Sequence, residues 1–475
     1  MGVESRERMF LRSALTEDNR FHPSSEILPW IAARNAANPF SVATVPLASL
    51  DGWSFADTTG NLVHRSGKFF RIEGLRVRTN VGAIREWEQP IIDQPEVGIL
   101  GILAKRFDGL VYFLMQAKME PGNIDPVQIT PTVQATHSNY TQVHQGARPR
   151  YVEYFLEGAR SRPLVDQLQF EQASTFLSKR NRNMVVLVED EVPVYDDFRW
   201  LTLGQVKRLL HVPNLVSMDA RTVLSCIPLV DQAGGRHTDG ALPTDVEWRP
   251  DSFQRGLLAS MGTGRALHSD EDVIGWLAGL RCRYELDVQR TALASLTCWT
   301  RDEHSIAHED DRYFSVVGVH VQATNREVAS WDQPLVKSSE KGLIAFLAKR
   351  INEVPHFLVQ GKVEPGNPDI VLVGPTVQCA LGGERLSDPS SWPRYLDVVL
   401  QAPADRLRFA CVQSEEGGRF YHVENDYRVV ELDADGDNDV PDGYMWVTLR
   451  QLNQLLRYGQ VNIEARTLIS CLSLL

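Results

Sequence analysis

"KMEPGNIDPVQITPTVQAT" (118–136) returns 244 residues later as "KVEPGNPDIVLVGPTVQCA" (362–380). Between 113–135 and 357–379, fourteen of 23 positions are identical without a gap. The register extends outward in both directions. Trp87, Gln89 and Pro90 align with Trp331, Gln333 and Pro334; "LAKR" recurs at 103–106 and 347–350; Arg150-Tyr151 answers Arg394-Tyr395. With small shifts, "PLASLDGW" (46–53) matches "ALASLTCW" (292–299), "WLTLGQVKRLL" (200–210) matches "WVTLRQLNQLL" (446–456), and "ARTVLSC" (220–226) matches "ARTLISC" (465–471). A repeat this long, covering nearly the whole chain, is a duplicated domain and not a solenoid.

The boundary follows from composition. "VDQAGGRHTDGALPTDVEWRPDS", rich in Gly, Asp and Pro, reads as a linker over 230–252, which leaves copies at 1–229 and 253–475. "FQRGLLASM" after it reads as a short helix. In each copy a helix carrying Trp30 or Trp276 comes first. A run of strands follows: "GLRVRT", "EVGILGILAKR", "LVYFLMQAK", "VQITPTVQAT" and "RYVEYFL", β-branched and aromatic with turn residues between. Two amphipathic helices close the copy, with Thr202 and Thr448 as N-caps. Strands followed by helices predict an α+β fold with a mixed, largely antiparallel sheet in each copy.

The bulk numbers narrow the function classes. A chain of 475 residues, 43% hydrophobic and 23% charged, has the composition of a soluble protein with two or three domains. A net charge of -12 argues against nucleic acid as partner, since phosphate backbones need a basic surface. No apolar run is long enough for a membrane span, and the N-terminus lacks the apolar core of a signal peptide, so a cytoplasmic protein is expected. The six cysteines show no CxxC pair and read as reduced, mostly buried thiols, with Cys226 and Cys471 in helix cores.

Glu120-Pro121-Gly122-Asn123 is a turn after an apolar strand: Pro presets φ, Gly permits unusual angles and Asn tolerates them. Lys118 and Glu120, two apart, share a face if the strand continues. Thr132, Gln134 and Thr136 alternate with Val133 and Ala135, a polar stripe suited to a sugar or nucleotide, or simply a solvated sheet face.

"EPGN…VQ…PTVQAT", followed by "SNYTQVH" (138–144), "RYVEYF" (150–155) and "KRNRNMVV" (179–186), resembles the NDP-hexose 2,3-dehydratase family, as does the two-copy layout. The resemblance spans almost the whole chain. It implies action on dTDP-4-keto-6-deoxy-D-glucose in deoxysugar biosynthesis for glycosylated antibiotics, a homodimer, a Nudix-like fold in each half, and functional coupling to a 3-ketoreductase. The glutamate-rich signature of active Nudix hydrolases is absent, so no catalytic metal is expected. The implied reaction needs no cofactor: the C4 ketone acidifies C3–H, an enolate forms, and the C2 hydroxyl leaves with help from an acid.

The copies differ where such chemistry would sit. After "PTVQ" the first continues "ATHSNYTQVHQG", and the second "CALGGERLSDPSS", with neither histidine nor tyrosine. At 179–183 the first has "KRNRN" where the second has "VENDY". The first copy is therefore expected to hold the working pocket, and the second a vestigial one. Catalytic candidates are Tyr140, His137, His144 and Glu120. The histidines titrate near neutrality, a tyrosine can protonate the leaving hydroxyl, and a glutamate can act as base. Glu120 and Lys118 have counterparts in Glu364 and Lys362, so a turn-fixing role stands beside the chemical one. Lys179, Arg180 and Arg182 are candidate diphosphate anchors. Asn123, Asn139, Arg148, Tyr151, Tyr154, Thr132, Gln134 and Thr136 are candidate sugar or nucleotide contacts. Trp87, like Trp331, can stack on thymine or sit in the core. "HSIAH" (304–308) and "DADGDNDVPDG" (433–443) read as polar loops and not as metal sites. On the residues alone, a nucleotide-sugar hydrolase and a non-catalytic nucleotide-sugar binding protein stay open as alternatives.

Overall fold

The T-x-x-Q pattern that begins the closing helices forms reciprocal caps. The Thr202 hydroxyl accepts from the Gln205 amide while the Gln205 side chain returns to the Thr202 N–H, and Thr448 and Gln451 repeat the arrangement. The computed structural model describes residues 5–136, 148–156, 161–230, 250–262, 264–324, 326, 328–382 and 392–475. The first copy runs α1 (Arg6–Ala14), α2 (Ser24–Ala37), β1 (Phe40–Val45), β2 (Trp53–Phe55), β3 (Leu62–His64), β4 (Arg71–Thr79) and β5 (Glu86–Asp93). It continues through β6 (Gly98–Phe107), β7 (Leu110–Met119), β8 (Val127–Thr130), β9 (Val133–Ala135), β10 (Arg162–Phe170), β11 (Arg180–Val188), β12 (Phe198–Leu201), α3 (Leu203–Leu209) and α4 (Met218–Ser225). The second copy opens with α5 (Ser252–Ser260), α6 (Asp270–Arg283), β13 (Leu286–Thr291), β14 (Trp299–Arg301), β15 (Ser305–His308), β16 (Phe314–Ala323) and β17 (Ser330–Ser338). It follows with β18 (Gly342–Ile351), β19 (Val354–Val363), β20 (Val371–Gly374), β21 (Val377–Ala380), α7 (Leu396–Leu400), β22 (Leu407–Ser414), β23 (Glu424–Leu432), β24 (Tyr444–Thr448), α8 (Leu449–Arg457) and α9 (Ile463–Cys471).

Each copy builds a seven-stranded sheet around one parallel pair, β6 with β11 and β18 with β23; every other pairing within it is antiparallel. The central strand β6 is buried from Gly98 to Lys105, as expected for "GILGILAK" covered on both faces. The α+β reading and the mixed, mostly antiparallel sheets thus hold, as do the duplication and the early Trp-bearing helices.

The five-stranded sheets do not respect the copies. β1 of the first copy pairs with β16 of the second, Phe40 opposite Ala323 through Val45 opposite Gly318. Reciprocally, β13 of the second pairs with β4 of the first, Leu286 opposite Thr79 through Thr291 opposite Gly74. The largest core cluster is shared too, holding Phe113 and Val223 together with Phe357 and Leu468. Helices α4 and α9 are buried along their whole length between the halves. Their arginines cross over: Arg221 Nη2 donates to the Ser414 carbonyl at 2.5 Å, and Arg466 Nη2 to the Phe170 carbonyl at 2.6 Å. This reciprocity is that of an approximate two-fold axis within one chain.

The "EPGN" turns are where the copies clasp. Gly122 N–H donates to the Gly417 carbonyl and Gly366 N–H to the Ala173 carbonyl, each at 2.7 Å. One expected strand is corrected. "RYVEYFL" forms a short 3-10 turn at Val152–Tyr154, because Tyr151 takes a left-handed backbone (φ 63°) that no strand accommodates. All six cysteines are free, and Cys226, Cys411 and Cys471 are buried. Among the described residues, no helix is long and apolar enough to cross a membrane.

Candidate active site

The opening phrase leads into a cavity of about 470 Å³ between the first copy's large sheet and elements of the second copy. Strand alternation turns Lys118 inward, and the turn that follows brings Glu120 beside it, Nζ to Oε1 at 2.6 Å. Lys118 Nζ also donates to Gln134 Oε1 at 2.9 Å. Gln134 Nε2 in turn donates to Asp219 in the first turn of α4. From the second copy, Arg326 Nη1 reaches Glu120 Oε1 at 3.1 Å and lies 5.6 Å from the Trp331 ring centre. Burial alone would raise the Glu120 carboxyl, but Arg326 and Lys118 outweigh it and hold the group down at about 2.

Three further carboxyls face this inner end, and each is displaced upward, first by burial. Glu171, which accepts from Asn181 Nδ2 at 2.7 Å, is raised. Asp219 is raised well above the usual range by burial, then by Glu416 and Glu171. Glu416 is pushed up to about 7 by burial, with Glu171 and Glu120 adding to it against the pull of Arg419. Lys179, whose ammonium donates to the Glu96 carbonyl, is lowered to about 8 by burial. Toward the mouth the lining changes character. Trp53, Phe69 and Phe70 supply aromatic surface beside the cations of Arg65 and Lys68. Across from them Asp332 accepts from the Asp51 N–H at 2.7 Å, and its carbonyl accepts from Trp53 Nε1 at 2.9 Å. One end can thus exchange protons, and the other can hold a flat ring and an anion.

The family profile of NDP-hexose 2,3-dehydratases matches residues 24–227 and again 270–472. The chain belongs to this family. A Saccharopolyspora spinosa protein named dTDP-4-dehydro-6-deoxy-alpha-D-glucopyranose 2,3-dehydratase is 47% identical over 98% of this chain and 94% of its own length. Proteins of the same name from Amycolatopsis orientalis and Streptomyces violaceoruber are 46% and 45% identical, over 97% and 93% of this chain and 92% and 95% of their own lengths.

In this 2,3-dehydratase family member the sequence-picked residues divide by position. Lys118, Glu120, Gln134, Thr136 and Lys179 line the cavity. Thr132 does not; its hydroxyl is spent inside the sheet, donating to the Leu114 carbonyl and accepting from Leu103 N–H. Asn123 is buried in the clasp and donates to the Pro126 carbonyl at 3.0 Å. Arg180 and Arg182 point away, because on β11 they alternate with Asn181 and Asn183; Arg182 pairs with Asp166 at 2.6 Å and Arg180 lies over Phe170. Tyr151 is buried with its hydroxyl on the Pro193 carbonyl at 2.7 Å, Tyr154 packs against the same cluster, and Arg148 is exposed outside the lining. Trp87 packs against Leu75, Val77 and Ile91, while its counterpart Trp331 lines the cavity. His137, Asn139, Tyr140 and His144 lie outside the described residues.

Asp219, Arg326, Glu416 and Arg419 also line the cavity and are not among the residues that sequence reasoning selects for it. The signal that finds the last two is the 244-residue register itself: Glu416 stands where the first copy has Gln172, and Arg419 where it has Thr175. A search for residues gained only by the first copy passes over them.

The Glu120 ion pairs carry a stability prediction. A carboxyl depressed from 4.5 to about 2 contributes stability that is fully present above pH 4.5 and lost as pH falls toward 2. The contribution is about 3 kcal/mol at neutral pH. Glu120→Gln is expected to be less stable than wild type at pH 7, with the gap narrowing as pH drops below 4.5. Denaturant midpoints across pH 3–7 check this, and a constant gap would contradict it.

Proposed function

We propose that this protein removes water across C2–C3 of dTDP-4-keto-6-deoxy-D-glucose and yields dTDP-3,4-diketo-2,6-dideoxy-D-glucose. The observation that carries the reading is the division of one cavity into an aromatic, cationic mouth and an inner end of carboxyls, in a chain whose relatives bear the name of that dehydratase. The nucleotide would lie at the mouth, its base on Trp53, Phe69 or Trp331. Its diphosphate would meet Arg65, Lys68, Lys179 and Arg419. The hexose then reaches Lys118, Glu120 and Gln134.

The chemistry proceeds by moving one electron pair at a time. A base takes the C3 proton and the C3–H pair becomes the C3=C4 bond of an enolate, with charge on O4. Reforming the C4 ketone drives the pair into C2=C3, and the C2–O bond breaks with protonation of the departing oxygen. The resulting enol tautomerises to the 3,4-diketone. Cationic Lys118 is suited to the enolate oxygen. His137, Tyr140 and His144, which follow Thr136 in the chain, are candidates for the acid. With pKa held near 2, Glu120 is a poor proton acceptor and serves to fix Lys118 and Arg326. A homodimer and hand-over of the reactive diketone to a 3-ketoreductase belong to the same proposal.

The test incubates the purified protein with the 4-keto sugar, NADPH and a 3-ketoreductase in heavy water. A 2-deoxy sugar is expected, with and without chelator. Failure to form it, together with retention of hydrogen at C3, would refute the reading.

A further inference from the structure

The four carboxyls at the inner end differ in what they are free to do. Glu120 is committed to two cations, at 2.6 and 3.1 Å. Asp219 accepts from Gln134, and Glu171 from Asn181. Glu416 is half-buried, lines the cavity, and receives no hydrogen bond on its carboxyl from any described residue. Its loop is shaped to hold it there. Gly418 lies directly beneath Glu416 Oε1, where a Cβ would approach to 2.8 Å, and the matching first-copy residue is Ser174.

The internal repeat supplies an independent comparison. Lys118, Glu120, Gln134, Glu171 and Asn181 have identical counterparts in Lys362, Glu364, Gln378, Glu415 and Asn425, so these residues cannot distinguish a working site from its mirror image. Glu416, Arg419 and Lys179 face Gln172, Thr175 and Val423 in that comparison. Gln172 cannot titrate, and its amide donates to Glu415 Oε2 at 3.3 Å. Of these three residues Glu416 is the carboxyl; Asp51, which also lines the cavity and aligns with Thr297, pairs with Arg65 at 3.4 Å.

We propose that Glu416, supplied by the second copy to the cavity of the first, is the base that takes the C3 proton of the sugar. The assignment rests on the dehydration reading. The carboxylate accepts the proton as the C3–H pair moves toward O4, and the neutral acid returns the proton to solvent after the product leaves. Groups facing Glu416 are Glu120 after β7, Glu171 and Lys179 between β10 and β11, Asp219 at the start of α4, and Arg419 on its own loop. Burial and the neighbouring carboxylates lift its proton affinity toward neutrality, where a base is both available and strong enough. The second half of the chain is on this account a working part of the site and not a spare copy.

The experiment compares wild type, Glu416→Gln and Glu416→Asp as full chains, with the 4-keto sugar in heavy water. Glu416→Gln preserves shape and breaks no hydrogen bond among the described residues. It is expected to lower kcat by roughly 10²- to 10⁴-fold and to abolish C3 exchange, with dTDP affinity within about threefold of wild type. Wild-type kcat/KM should rise with pH and level off above about 7; Glu416→Asp should retain that limb and Glu416→Gln should lose it. The assignment is overturned if Glu416→Gln keeps more than about a tenth of kcat, if its C3 hydrogen still exchanges, or if dTDP affinity falls in step with the rate. If wild type itself neither exchanges nor dehydrates, the dehydration reading fails and takes the base with it. If wild type and Glu416→Gln both turn over, only the base assignment fails.

Discussion

Gly122→Ala is expected to cost about 4 kcal/mol or more of stability, among the largest effects a single methyl can have. The turn that holds Gly122 is pressed against the second copy. Its N–H donates to the Gly417 carbonyl at 2.7 Å, and its own carbonyl accepts from the His422 N–H at 2.8 Å. A Cβ at this position would stand 1.6 Å from the Phe420 carbonyl oxygen, a backbone atom with no rotamer to escape into. The two loops must separate, which breaks both hydrogen bonds and exposes the clasp. Gly366→Ala should behave alike, since its Cβ would meet the Phe176 oxygen at 1.8 Å. Gly275→Ala on α6, with nothing within 4 Å, is the control and should be neutral or slightly stabilising. Denaturant midpoints decide the matter; a Gly122→Ala protein within about 1 kcal/mol of wild type would mean that the clasp is dispensable.

Arg466→Met is expected to destabilise by about 3–5 kcal/mol. The guanidinium is fully buried and donates from all three nitrogens: to Thr222 Oγ1 at 3.0 Å, to the Val461 carbonyl at 2.9 Å and to the Phe170 carbonyl at 2.6 Å. Methionine fills much of the volume but leaves two carbonyls without these donors. It also removes the largest charge that opposes the burial-driven rise of Glu171. Glu171 already titrates above its ordinary 4.5, so the stability tied to its proton is present at low pH and lost as pH rises through its folded value. Raising that value further makes the deficit of Arg466→Met grow from pH 5 to pH 8. Unfolding midpoints at the two pH values test this, and equal deficits would show that Glu171 does not sense Arg466.

The duplication, the α+β layout and the capped closing helices were legible because each rests on local chemistry or on register. "RYVEYFL" misled because its composition suits a strand, whereas the burial of Tyr151 and its hydroxyl contact with Pro193 favour a left-handed turn. "KRNRN" misled differently. The alternation was there to read, with Lys179, Asn181 and Asn183 on one face and the two arginines on the other, yet the charges drew attention as a block. The exchange of β1 and β13 had no local signature. Both strands face nearly equivalent edges in the two copies, and residue preference cannot choose between like partners. The composite cavity is a product of that same arrangement.

The crossed strands also bear on how two unequal pockets can arise from one design. In a symmetric pair of identical subunits that trade a strand, every substitution falls in both pockets at once, so a change that helps one chemistry is imposed twice. Joining the two units in a single chain releases that constraint while leaving the traded strands, the shared core and the clasp in place. One pocket can then acquire Glu416 while its mirror keeps Gln172. The second copy is still held to its shape, because part of this cavity, including Arg326, Trp331, Glu416 and Arg419, is made from it.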